Sequence, residues 1–231
     1  MGKFEDNKQY TFDVDSAPTS WLDYSEELKE IAELIFSNSG TEINRYPENE
    51  KGLRLERGYF LNYGFSIENI LKGLIISENS SFVSNGKISS EISSNHNLET
   101  LVDKIDSIAF DKNERKLLSI LSDAIPYWGR YPIPKKYTKV STKFKLTEKV
   151  NDDLNNLWFK IGRQLYSNIK SGWIGPSGIE TGPYISSTFE NPEEFDKSIA
   201  EINMQIEKGL FKAGNVDRAK YSRNNYLQQR V

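Results

Sequence analysis

Apolar residues recur every three or four positions through five stretches of this chain, and in no stretch do apolar and polar residues alternate for long. When apolar residues are three or four positions apart, their side chains lie on one face of a helix, whereas a half-buried strand needs apolar and polar residues to alternate. A chain of 231 residues can bury a core of this kind without disulfides or metals. We therefore predict an all-α fold, an up-and-down helical bundle of about five helices over residues 20–170.

The predicted helices share this apolar period and cover about residues 20–36, 50–77, 95–105, 114–128 and 147–169. Ser20 and Thr147 are suitable N-cap residues for the first and the fifth helix. The first helix is predicted to have a solvated acidic face, formed by Glu26, Glu27, Glu30 and Glu33. The second helix contains Gly58, Gly64 and Gly73, which we interpret as points where another helix approaches closely.

Two segments outside the bundle lack a sustained apolar period. Residues 1–19 are predicted to be a flexible acidic N-terminal segment. Residues 171–231 are predicted to be a loop-rich C-terminal extension, with one short helix over about residues 192–208 and a basic tail. Within the bundle, the serine-rich and asparagine-rich stretch 77–95 is predicted to be a long loop.

Charge is distributed unevenly along the chain. Residues 1–50 hold twelve acidic and four basic residues, whereas residues 130–149 hold seven basic and one acidic, and residues 208–231 six basic and one acidic. This asymmetry either steers a polyanion to one face or pairs the acidic end with the basic end of the same or a second molecule. The net charge of −3 argues against a protein that coats nucleic acid by bulk charge.

Composition excludes several kinds of chemistry. The chain has no cysteine, which excludes disulfides, thiolate zinc sites, iron–sulfur clusters and a cysteine nucleophile. His96 is the single histidine, so a multi-histidine metal centre is excluded as well, and we predict neither a metal nor a cofactor. We find no targeting signal, and the longest apolar neighbourhood, residues 70–76, is too short to cross a bilayer, so we expect a cytoplasmic protein without a membrane partner.

Three short strings stand at particular places in the predicted bundle: YGFSIENILKGL over residues 63–74, NHNL over residues 95–98 and YWGRYPIP over residues 127–134. With their E-N-x-x-K, H-x-L and G-R-Y-P elements, they resemble uncharacterised members of the HEPN-like superfamily of prokaryotic all-α proteins. The resemblance covers about residues 50–170. It implies a homodimeric bundle of four or five helices in a prokaryotic defence or toxin–antitoxin-like system.

Many proteins of that superfamily cut RNA through an R-x(4–6)-H motif, and this chain departs from it. The positions five to seven residues before His96 are Ser89, Ser90 and Glu91, so the arginine of the motif is absent. The sequence therefore predicts no catalytic residue, and the resemblance implies a non-catalytic member.

Polar residues of these strings form the first candidate site. Glu68 and Lys72 lie one helical turn apart among apolar neighbours, and Arg130 at the end of the fourth helix could reach Glu68 bidentately. With His96 they form either a polar clamp that fixes helix packing or part of a pocket for a phosphate or nucleotide.

Aromatic and basic residues form the second candidate site, at the end of the fourth helix. Trp128 and Tyr131 precede a basic connection that contains Lys135, Lys136 and Lys139. Aromatic rings beside lysines are typical of single-stranded nucleic-acid sites, although the rings are also compatible with core packing.

Three functions remain open at this point. The first is a non-catalytic HEPN-like module that binds RNA, a nucleotide or a protein partner, the last through the basic tail. The second is a ribonuclease whose site is assembled across a dimer from Arg130, His96 and Lys72. The third is a structural docking protein that uses the acidic N-terminus and the basic tail.

Overall fold

The computed structural model of the chain describes residues 3–45, 50–130, 145–176, 178 and 180–208. Four candidate site residues, Tyr131, Lys135, Lys136 and Lys139, lie outside the described residues, and so does the basic tail beyond residue 208. The side chain of Trp128 also falls outside them.

Eight α-helices dominate the described residues, and the predicted all-α class is confirmed. In chain order they are α1 (Lys3–Asp15), α2 (Pro18–Arg45), α3 (Glu50–Glu78), α4 (Ser90–Ser93), α5 (Leu98–Val102), α6 (Lys112–Asp123), α7 (Glu148–Ile169) and α8 (Pro192–Glu207). A π-helical turn, Ala124–Trp128, continues α6. The described strands pair as two antiparallel hairpins, β1 (Val83–Ser84) with β2 (Lys87–Ile88) and β3 (Trp173–Ile174) with β4 (Glu180–Thr181).

The two long helices α2 and α3 run antiparallel. Ser25, in the first half of α2, donates a hydrogen bond to the Ser66 carbonyl at 2.8 Å, and the Ser66 hydroxyl donates to the Ser25 carbonyl at 2.7 Å. Further along α2, Ile35 lies against Gly58, which comes before Ser66 in α3. Residues later in α2 therefore contact residues earlier in α3, so the two helices are antiparallel.

Helix α7 runs in the same direction as α3. The Tyr59 hydroxyl donates to Asn151 Oδ1 at 2.9 Å, and one turn later in both helices the Tyr63 hydroxyl donates to Asn155 Oδ1 at 2.8 Å. Burial raises the pKa of both tyrosines far above its ordinary value, so the two hydroxyls keep their protons and remain donors.

Two glycines of α3 permit close approach of neighbouring segments. A Cβ at Gly64 would lie 2.9 Å from Ile125 in the π-helical turn, and a Cβ at Gly73 would lie 2.8 Å from the Trp21 Cβ in α2. Leu61, earlier in α3, lies against Gly129 just after the π-helical turn, so α6 and its continuation run antiparallel to α3. These glycines therefore serve contacts within the chain.

The N-terminal segment differs from the prediction. We expected residues 1–19 to be a flexible segment, but Lys3–Asp15 form α1. Its Phe12 packs against the core, and the turn that follows is buried at Ser16 and Ala17. The Trp21 indole donates to the Ser16 carbonyl at 3.2 Å, which ties the end of α1 to α2. These contacts come from the tertiary structure, and α1 has too weak an apolar period to show them in advance.

Of the two N-cap residues that the sequence predicts, one is found at the start of its helix and the other is not. Thr147 is the N-cap of α7 as predicted, and its hydroxyl accepts from the Val150 amide at 3.2 Å. Ser20 is not an N-cap, because α2 begins two residues earlier at Pro18. The predicted loop 77–95 contains the hairpin β1–β2, whose Asn85 and Gly86 both have positive φ angles, as an Asn-Gly turn between paired strands requires.

Among the residues that the structure describes, we find no helix that combines the length and the apolar character needed to cross a membrane.

Candidate functional site

The first cluster joins α3 to the start of α5. Lys72 Nζ lies 2.6 Å from Glu68 Oε1, and His96 Nδ1 lies 2.9 Å from Glu68 Oε2. The side chains of Glu68 and Lys72 are 6% and 5% exposed, whereas His96 is 46% exposed. Lys72 Nζ also lies 3.5 Å from the Ser93 carbonyl, at the end of α4. The buried ion pair thus connects three segments of the fold.

The remaining candidate residues are only partly placed. Arg130 is exposed, in the turn that follows the π-helical segment, and its predicted contact with Glu68 stays a prediction. The backbone of Trp128 belongs to that π-helical turn. Tyr131, Lys135, Lys136 and Lys139 lie outside the described residues. The structure therefore brings together three predicted residues, Glu68, Lys72 and His96.

The Glu68–His96 contact has a defined chemistry. An ionised carboxylate only accepts hydrogen bonds, so the Nδ1 of His96 is the donor and carries the proton. A neutral His96 then has its lone pair on Nε2, which is the arrangement that a general base needs. Lys72 neutralises Glu68 from the other side and is too deeply buried to reach a substrate without breaking the ion pair.

A second cluster lies where the C-terminal extension crosses α2 and α7. We call residues 184–190 the strap. The Tyr184 hydroxyl donates to Asp23 Oδ1 in α2, and the Tyr166 hydroxyl of α7 donates to Glu190 Oε1 at the end of the strap. The backbone amide of Tyr184 donates to the Lys170 carbonyl at 3.2 Å. Both ends of the strap are therefore fixed by hydrogen bonds.

Aromatic stacking holds the C-terminal end of the strap, next to Glu190. The Phe189 ring stacks on Trp158 and on Tyr166, with ring centres 5.5 Å apart in both pairs. Trp158, Gly162 and Tyr166 are spaced four residues apart in α7, so they share one face of the helix. A Cβ at Gly162 would lie 2.6 Å from Phe189, which means that the glycine leaves the space that the ring occupies.

Glu26 lies beneath the strap, and sequence reasoning missed it. We expected Glu26 on a solvated face, but its Oε1 is buried without a hydrogen-bond partner, as is Oε2 of Glu190. The pKa of Glu26 is raised from 4.5 to about 7, mainly because the carboxyl group is buried. The charges of Asp23 and Glu30 also raise this pKa, whereas a hydrogen bond with the Thr188 side chain lowers it. The covering residues come about 160 positions later in the chain, so no local pattern around Glu26 predicts its burial.

Helix α2 also carries exposed apolar residues. Tyr24, Ile31 and Leu34 are 52%, 45% and 63% exposed. Their spacing of seven and three residues places them in one stripe along the helix, together with exposed Glu27 between the first two. We call Tyr24, Ile31 and Leu34 the α2 stripe.

Within the described residues, no group of three or more histidine, aspartate and glutamate side chains is arranged to hold a metal ion. Comparisons of the chain with protein-family models, with curated proteins and with solved structures find no match.

Proposed function

We propose that the chain is a non-catalytic HEPN-like helical module of a prokaryotic defence or toxin–antitoxin-like system, and that it acts by binding a partner protein through the α2 stripe. The resemblance of residues 50–170 to HEPN-like proteins supports the superfamily and its setting. The observation that carries the binding function is the exposure of Tyr24, Ile31 and Leu34 in one line. Exposed apolar side chains in a continuous patch are typical of protein-binding surfaces.

The chemistry around the α2 stripe selects the partner. Glu27 and Glu30 are exposed beside the apolar residues. An acidic apolar helix face fits a basic amphipathic helix, which would lay its apolar side on the stripe and its lysines against the glutamates. The same glutamates disfavour RNA on this face, because RNA is a polyanion. They also disfavour pairing of one α2 stripe with another, because like charges would meet.

The absent arginine and the burial of Lys72 support a non-catalytic function. The R-x(4–6)-H arginine is absent, and Lys72, one of the three residues of the ribonuclease alternative, is buried in an ion pair with Glu68. The cluster of Glu68, Lys72 and His96 thus fits the clamp that fixes helix packing, rather than a pocket for a phosphate.

The test uses a designed peptide of about 20 residues with leucines at helical spacing and lysines elsewhere, and a scrambled peptide of the same composition. We expect the designed peptide to bind the full chain in titration calorimetry, and Ile31→Lys together with Leu34→Lys to weaken binding at least tenfold. Ile174→Lys is the matched control, because Ile174 is as exposed as Leu34. Equal binding of the scrambled peptide, or equal binding by the stripe variant, would contradict the proposal.

A second copy of the chain is one possible outcome of the same test. The HEPN resemblance implies a homodimer, and light scattering of the wild type and of the stripe variant at micromolar concentration measures it. A dimer that the stripe variant dissociates would make the partner a second copy, so the proposed partner of different sequence would be wrong.

A further inference from the structure

The strap, residues 184–190, packs over the carboxyl side chains of Asp23 and Glu26 in α2 and contributes that of Glu190. Asp23 accepts from Tyr184 and Glu190 accepts from Tyr166, while Glu26 lies between α2 and the strap with Oε1 buried and unpartnered. Oε2 of Glu190 is buried without a partner as well. A proton on Glu26 removes a negative charge from the place where the strap seals the surface from water.

The charged groups around Glu26 are mostly acidic. On α2 they are Asp23, Glu30 and the cation Lys29. Two residues of the strap interact with this group: the charges of Asp23 and Glu26 both raise the pKa of Tyr184, and Glu190 accepts a hydrogen bond from Tyr166 of α7. Burial and the carboxylates raise the pKa of both tyrosines, so their hydroxyls remain neutral donors near neutral pH.

The cations Lys29 of α2 and Arg163 of α7 both lie against aromatic rings. Lys29 is paired with Glu33, and its Nζ lies 5.2 Å from the ring centre of Trp158 and 5.3 Å from that of Phe159. The Arg163 guanidinium lies 5.9 Å from the centre of the Phe159 ring. Lys29 lowers the pKa of Glu26 less than burial and the neighbouring carboxylates raise it.

We propose that the strap is a proton-controlled latch: a protonated Glu26 lets the strap close over α2 and α7, and loss of that proton releases the strap. An ionised Glu26 adds a negative charge beside Asp23 and Glu30, on a carboxyl group whose Oε1 is buried without a hydrogen-bond partner. Release lets the Glu26 carboxylate reach water and separates it from the strap. It also withdraws Phe189 from its place between Trp158 and Tyr166, and exposes the aromatic face of α7.

The direction of the pH effect follows from the raised pKa. In the closed state Glu26 keeps its proton up to about pH 7, whereas an exposed glutamate loses it near 4.5. The closed state of the strap is therefore most stable relative to the open state below pH 4.5, and this extra stability is lost as the pH rises to about 7. Across this range the opening equilibrium constant rises by up to about tenfold per pH unit, and above it the constant levels off.

Hydrogen exchange of the full chain measures this opening. The Tyr184 amide donates to the Lys170 carbonyl outside the strap and reports its release directly, whereas the Glu190 amide donates to the Ser186 carbonyl within the strap and reports the order of the strap itself. We expect their exchange, after division by the intrinsic rate at each pH, to accelerate between pH 5 and pH 7. The amides inside α3 serve as an internal reference for global unfolding.

Glu26→Gln keeps the shape of a protonated glutamate and cannot lose a proton. We expect this variant to show no pH-dependent opening, whereas Glu148→Gln, a change of an exposed glutamate at the start of α7, should follow the wild type. If Glu26→Gln does not fold, Asp23→Asn replaces it, and removal of that charge should move the acceleration to lower pH. A wild-type strap whose corrected exchange is independent of pH, or a Glu26→Gln variant that keeps the wild-type slope, would overturn the latch. This outcome is independent of peptide binding to the α2 stripe.

Discussion

Glu68 holds a buried ion pair and a histidine contact together. It is the ion-pair partner of buried Lys72 and the acceptor for His96. Its removal leaves the Lys72 ammonium in the interior without a counter-charge, because Lys72 is 5% exposed and has one weaker contact, the Ser93 carbonyl at 3.5 Å. Removing one partner of a buried ion pair lowers the stability of a protein by more than an exposed ion pair contributes to it.

We therefore expect Glu68→Ala to lower the free energy of unfolding by about 3–5 kcal/mol. Urea denaturation measures it. Asp153→Ala is the control, because it breaks the exposed pair of Lys149 and Asp153, which also spans one helical turn, and should cost less than about 1 kcal/mol. The double change Glu68→Leu with Lys72→Met should recover most of the loss. A Glu68→Ala chain as stable as the control would show that the pair contributes nothing to the fold.

Sequence reasoning reached Glu68 and Lys72 but not Glu26, for a physical reason. The first two share a helix, and their spacing of four residues inside an apolar stretch predicts a buried pair. Glu26 is followed within two helical turns by Glu27, Glu30 and Glu33, and looks like part of an exposed acidic face. Only the strap, packed against α2 from far along the chain, buries its carboxyl group.

At the scale of elements, α7 has a notch for the strap. Trp158, Gly162 and Tyr166 follow one another at one-turn intervals, and Phe189 occupies the space above the glycine. A glycine with a large aromatic residue four positions before it and another four positions after it is a pattern visible in the sequence. The pattern does not show which ring fills the space above the glycine. Stacked aromatic pairs contribute about 0.5–1.5 kcal/mol each beyond burial.

We expect Gly162→Ala to displace Phe189, because a Cβ would lie 2.6 Å from that ring. Alanine favours the helix by about 1 kcal/mol, so the long helix itself should remain intact and the damage should be confined to the strap. Exchange of the Tyr184 and Glu190 amides should become faster at every pH, while circular dichroism keeps its helical signal. Ser167→Ala, at an exposed position of the same helix, is the control and should leave exchange unchanged. Unchanged exchange in Gly162→Ala would show that the glycine is not what seats the ring.

Elements were predictable where the apolar period is long and local. The helices α2, α3, α7 and α8 match predicted helices, because each carries its own apolar period, and in α2, α3 and α7 the apolar residues are largely buried. Helix α1 and the hairpin β1–β2 were not predicted, since α1 depends on Phe12 and Trp21 packing against other elements and the strands are only two residues long. The predicted third helix begins later than expected, at Leu98, because Asn97 caps it by accepting from two backbone amides.

At the scale of the whole molecule, acidic and basic stretches are separated along the chain. The acidic stretch favours a basic protein partner, whereas the basic stretch favours a polyanion such as RNA. The acidic residues that the structure describes include those beside the α2 stripe. The basic connection holds Lys135, Lys136 and Lys139 and lies outside the described residues. If it binds a polyanion, binding must depend strongly on salt, because each phosphate contact releases counterions.

Our last prediction compares RNA binding of the wild type with that of a variant in which Lys135, Lys136 and Lys139 are changed to glutamine. Because the proposed function is protein binding through α2, we expect little RNA binding at near-physiological salt and similar affinities for both proteins. Fluorescence anisotropy with a labelled single-stranded RNA, at low and at near-physiological salt, measures both. Lys112→Gln together with Lys116→Gln, two exposed lysines of α6, is a control for the loss of positive charge elsewhere. Tight RNA binding that the connection variant loses and the α6 variant keeps would place the ligand on the basic connection, and would replace protein docking with RNA binding as the function of this module.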